Sequence, residues 1–99
     1  MNRSDALEVL ENLRSRLEAR GIAHAGLFGS VARDAAGEKS DVDVVLTPVP
    51  GRRLDLIDLG GIQTLIEEGF AGAHVDVVVE PISRPDLKRA VEQDRVNAF

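Results

Sequence analysis

Apolar residues recur at three- and four-residue intervals near the N-terminus, where Ala6, Val9, Leu10, Leu13 and Leu17 line one face of a predicted helix. Ser4 or Asp5 is its expected cap, and Gly21 stops it after about Arg20. The pattern then shortens. Ile22 to Phe28 is a compact apolar stretch closed by Gly29-Ser30, which predicts a buried strand and a tight turn. Val31 to Ala35 has room for one or two helical turns, and the polar Ala36-Gly37-Glu38-Lys39-Ser40 reads as a loop. Asp41 to Leu46 alternates strictly, with Val42, Val44 and Leu46 on one face of a strand and Asp41 and Asp43 on the other, before Pro48, Pro50 and Gly51 end it.

Helical spacing returns from about Leu54 to Phe70, through Leu56, Leu59, Ile62, Leu65 and Ile66, with Gly60-Gly61 expected to weaken or kink the middle. His74 to Glu80 alternates again and predicts a third strand, with Val75, Val77 and Val79 on one face and His74, Asp76 and Val78 on the other. Ser83 is the expected N-cap of a last helix that carries Pro85 and Asp86 in its first turn and runs to about Arg95. The order helix, strand, short helix, strand, helix, strand, helix shows no repeat and no linker. It predicts one α+β (α/β) domain over residues 1–99, a small mixed β-sheet with helices packed on it.

Composition narrows the function classes. At 99 residues the chain can bury roughly 60–65% of its unfolded surface, enough for one modest core. With 43% hydrophobic and 29% charged residues it is a globular composition, and no apolar run approaches the roughly 18–20 residues that cross a bilayer. The acid-bearing, amphipathic N-terminus resembles neither a secretory signal nor a transit peptide, so a cytoplasmic address and no membrane association are expected. No cysteine is present, so any metal must be held by oxygen or imidazole. A net charge of −5 with three aromatics, all Phe, argues against a nucleic-acid-binding domain.

The chemistry concentrates in Leu27-Phe28-Gly29-Ser30-Val31-Ala32-Arg33, followed after seven residues by Asp41-Val42-Asp43, with Asp76 on the next strand. A Gly-Ser turn between strand and helix points backbone N–H groups and a hydroxyl outward, the arrangement that cradles phosphate oxygens. Asp41 and Asp43, two apart on a strand, place two carboxylates on one face about 6.6 Å apart along the backbone. A third from Asp76 would make the cluster repel itself unless a cation sat among them, and Mg²⁺ with phosphate oxygens and waters is the natural partner. A phosphate cradle beside carboxylate-held metal is what in-line phosphoryl or nucleotidyl transfer requires.

Gly29-Ser30, the spaced Asp41-x-Asp43 and Asp76 together resemble the signature of the polymerase beta nucleotidyltransferase superfamily. The short chain is similar to its minimal branch, the MNT proteins, which bind all-helical HEPN proteins as antitoxins. The resemblance spans about Ile22 to Val79 and implies a polymerase beta-like nucleotidyltransferase fold. It implies that Gly29 and Ser30 hold the triphosphate, with Arg33 placed to meet phosphate charge. It also implies that Asp41, Asp43 and Asp76 bind two Mg²⁺, with Asp76 the candidate base. The reaction implied is transfer of a nucleoside monophosphate, AMP from ATP or another NTP, to a hydroxyl such as a tyrosine of a HEPN toxin. Larger relatives such as aminoglycoside nucleotidyltransferases carry a further helical region, so the acceptor site here is expected to be open or supplied by a second chain, in a homodimer or a hetero-oligomer.

Other readings remain beside this one. The same fold can serve as a catalytically weak antitoxin that neutralises its partner by contact, or as a transferase for a small aminoglycoside-like acceptor. Asp41 and Asp43 alone would fit the solvated face of an edge strand. Arg33 divides between phosphate contact and a surface salt bridge to Asp34 or Glu38. His24 reads as a core or near-surface histidine, whereas His74 shares the face of Asp76.

Overall fold

The computed structural model describes residues 1–34 and 41–99. The loop expected over Ala36 to Ser40 lies outside the described residues. The first helix, α1 (Arg3–Asn12), begins two or three residues earlier than its pattern suggests, because Asn2 is the cap: its Oδ1 accepts from the Asp5 N–H at 2.8 Å. Ser4 and Asp5 therefore lie inside the first turn, where an acid favours the positive end of the helix dipole. The single helix expected to Arg20 divides at Leu13 into α1 and α2 (Arg14–Ala19). The Leu13 N–H is shared between the Val9 and Leu10 carbonyls, a local tightening that leaves the apolar stripe of Ala6, Leu10, Leu13 and Leu17 buried throughout. Leu13 packs where α4 (Leu56–Gly69) ends: a Cβ added to Gly69 would lie 2.7 Å from Leu13 Cδ1.

Three strands match the alternation of the sequence closely: β1 (Ile22–Phe28), β2 (Val42–Pro48) and β3 (Val75–Val79). β1 pairs antiparallel with β2, and β2 pairs parallel with β3. A fourth, two-residue strand, β4 (Val96–Asn97), adds antiparallel to β1 beside Gly26 and Leu27, giving the order β3-β2-β1-β4. Two residues are too few to carry a periodic signal, so only tertiary pairing reveals β4. The sheet is thus mixed, as expected, with helices on both faces. One face carries Ala25, Leu27, Val44, Leu46 and Val75 into a core shared with α1, α2 and α4. On the other, Phe28 and Val45 meet Val91 of α5 (Pro85–Asp94), with Val78, Ile82 and Leu87 around them.

Two further expectations about helices change. Gly60-Gly61 does not interrupt α4, which begins with a reciprocal capping box between Asp55 and Asp58 and buries Ile62 and Ile66. Glycine costs helix propensity but keeps its N–H and C=O, so a good cap and two buried anchors hold the ladder through the pair. The front of that helix is open: Leu56 and Ile57 are 86% and 85% exposed. At α5 the cap is Arg84, with no side-chain hydrogen bond, instead of Ser83. Pro85 forces the residue before it out of helical conformation, and Arg84 accordingly sits at φ −78° and ψ 119°. Among the described residues, no helix is long and apolar enough to cross a membrane.

Candidate active site

Cross-strand register assembles the site. Phe28 of β1 lies opposite Asp43 of β2, and Asp43 lies opposite Asp76 of β3, so Gly29, Asp43 and Asp76 meet at neighbouring strand ends. Val42 and Val44 turn into the core on the far face, which leaves Asp41 and Asp43 on the near one. Because β2 and β3 run parallel with Val42 beside Val75, the residues just before that pair, Asp41 and His74, form an outer rung in front of Asp43 and Asp76. Single ligand atoms of Asp41, His74 and Asp76 all lie within 4.8 Å of one another. The His74 Nε2 is 3.1 Å from Asp76 Oδ1.

Gly29 opens the four-residue helix α3 (Gly29–Ala32) and is required twice over. Its φ is +74°, which side chains rarely adopt, and a Cβ there would collide with the Asp43 Oδ2. The turn and the carboxylate are thus in contact through the space a side chain would fill. Ser30 follows at the start of α3, half-buried, and Phe28 before it has no polar side chain to cap the first turn.

Charge in the site is unbalanced. Burial pushes the Asp43 carboxyl up from 3.8 to about 6, helped by the Asp76 charge, a hydrogen bond shared with Asp76 and the Asp41 charge, while Arg33 pulls the other way. Among the described residues, no Lys or Arg forms an ion pair with Asp41, Asp43 or Asp76. The other ends of the same strands differ: Glu80 after β3 accepts from Thr47 Oγ1 at 2.7 Å and pairs with Arg95 at 2.9 Å. An oxygen-rich cluster with one imidazole at its rim and, among the described residues, no Lys or Arg in an ion pair with it fits a divalent ion held by carboxylates and waters.

The structure therefore gathers Gly29, Ser30, Asp41, Asp43 and Asp76 at one place, with Arg33 on the flank. Arg33 does not pair with Asp34: its Nη1 donates to Asp94 Oδ2 at the end of α5. Asp34 instead accepts from the Arg3 N–H at 3.1 Å, and Glu38 lies outside the described residues. A pairing 61 positions away in the chain leaves no local signal. His24 is exposed on β1 and takes no part in the acidic cluster. His74 does, and the signal was present in the sequence: it stands two before Asp76 as Asp41 stands two before Asp43.

A sequence profile of the nucleotidyltransferase domain matches residues 8–97. The chain belongs to the nucleotidyltransferase family. It is 29% identical over 92 residues to a candidate protein adenylyltransferase of Methanocaldococcus jannaschii, covering 93% of this chain and 96% of that one. A solved structure of a candidate minimal nucleotidyltransferase superposes with a TM-score of 0.76 at 29% identity, covering 97% of this chain and 95% of the other. The fold is also that of a chain from the complex of the tri-AMPylated HEPN toxin of Shewanella oneidensis with its MNT antitoxin. That match has a TM-score of 0.65 at 18% identity, over 94% of this chain and 71% of that chain. The expected mixed-sheet fold and nucleotidyltransferase activity therefore stand.

Proposed function

We propose that the chain is a Mg²⁺-dependent adenylyltransferase that moves AMP from ATP to a tyrosine hydroxyl of a HEPN-type toxin and so acts as its antitoxin. The meeting of Gly29, Asp43 and Asp76 carries this reading, because a turn without a side chain pressed against paired acids is built for a triphosphate and its counter-ions. The relative named as a protein adenylyltransferase and the AMPylated toxin complex support the nucleotide and the acceptor class. The reading takes residues 1–99 as one domain.

Asp41, Asp43 and Asp76 would hold two Mg²⁺, which when bound supply charge neutralisation and orientation for in-line displacement. The rest falls to the chain itself. Gly29 leaves the space beside Asp43 open to phosphate, and the Ser30 hydroxyl donates to a terminal phosphate oxygen. Arg33, steadied by Asp94, supplies positive charge on the flank. Asp76 takes the proton of the attacking hydroxyl as its oxygen bonds to the α-phosphorus, and the bond to the bridging oxygen breaks to release pyrophosphate with that electron pair. Asp41, His74 and Asp76 are exposed, so the acceptor side is open to a hydroxyl presented by another chain.

The test is the intact mass of a HEPN-type partner after incubation with this protein, ATP and Mg²⁺. One or more AMP additions, lost with Asp41→Asn plus Asp43→Asn, are expected. A tight complex without added mass would instead favour neutralisation by contact. Transfer to an aminoglycoside-like compound with none to the partner would favour a small acceptor.

A further inference from the structure

We infer that His74 is a cation ligand of this site and tilts its metal preference away from Mg²⁺ toward later divalent ions. The inference rests on the cation-dependent reading above and adds a residue to it. The parallel register sets His74 beside Asp41, one rung in front of Asp43 and Asp76, with all four side chains on the face opposite the Val42 and Val75 core positions. Its Nε2 lies 3.1 Å from Asp76 Oδ1, and with Asp41 and Asp76 it forms a group whose ligand atoms fall within 4.8 Å. Two coordination bonds of about 2.1–2.2 Å span nearly that distance, so a side-chain movement of a few tenths of an ångström would close the group on one ion. Its side chain is 65% exposed, which leaves the imidazole room to turn toward an ion.

The chemistry sets the consequence. Mg²⁺ is hard, prefers oxygen and keeps its waters, whereas imidazole nitrogen favours ions later in the first transition row. A site of carboxylates alone would rank Co²⁺ and Mg²⁺ less far apart than one that adds a nitrogen.

The experiment titrates the nucleotide-free protein with Co²⁺ and with Mg²⁺ by calorimetry, for the unmodified chain, His74→Gln and Asp76→Asn. In parallel, the His74 ring proton signals are followed by NMR as Co²⁺ is added. The expected result is that His74→Gln weakens Co²⁺ binding about tenfold or more while changing Mg²⁺ binding less than about threefold. The His74 signals of the unmodified protein should shift or broaden at stoichiometric Co²⁺. If Asp76→Asn abolishes binding but His74→Gln leaves the Co²⁺ to Mg²⁺ ratio unchanged, His74 is only a hydrogen-bond neighbour and the inference is overturned. If the unmodified protein binds neither ion, the cation-dependent reading fails with it.

Discussion

Asp43 is a half-buried carboxylate beside two others, with a raised affinity for its proton. The folded chain holds that proton up to about pH 6, while the ordinary value is 3.8, so the folded state binds more protons across that interval. The contribution of Asp43 to the stability of the metal-free protein should therefore fall as pH rises from about 4 to about 6. Thermal melts across that range check it, and Asp43→Asn should flatten the slope. The same substitution should raise neutral-pH stability by on the order of 1 kcal/mol after discounting for solvent screening, read as a melting point several degrees higher. It should also lower nucleotidyl transfer by more than about 100-fold, since on the proposed reading a ligand for the metal is lost. Gly29→Ala works in the opposite sense on stability. Its positive φ and the collision with Asp43 should cost roughly 1–3 kcal/mol, checked by denaturant titration, and nucleotide binding should weaken with it.

The strands were easier to read from the chain than the helix ends, and the reason is local. Asp41 to Leu46 and His74 to Val79 alternate with a period of two, so which carboxylates share a face follows from counting. Which of them stand opposite each other does not: the pairing of Asp43 with Asp76 needs the parallel register, and the Arg33 to Asp94 pair needs the docking of α5. Caps escape local pattern where a neighbour decides them, as Pro85 does for Arg84 and as Asn2 does ahead of Ser4. The α4 helix shows that a glycine pair need not kink a helix whose ends are fixed. A Cβ at Gly60 would meet nothing within 4 Å, so Gly60→Ala should stabilise the protein by about 0.5–1 kcal/mol in a denaturant titration and leave transfer unchanged.

Taken as one object, the fold keeps its two ends chemically apart. At the far end of β2 and β3, Thr47, Glu80 and Arg95 satisfy each other; at the near end three acids face a bare turn with no Lys or Arg partner among the described residues. Sheet pairing holds those acids together against their repulsion, and a cation bound among them would relieve it. The most direct measurement is a calorimetric titration of the protein with ATP, with and without Mg²⁺. Binding that requires Mg²⁺ and disappears in the Asp41→Asn plus Asp43→Asn variant, with that variant still folded, is the predicted result. ATP binding equal in both proteins, or unaffected by Mg²⁺, would contradict the account.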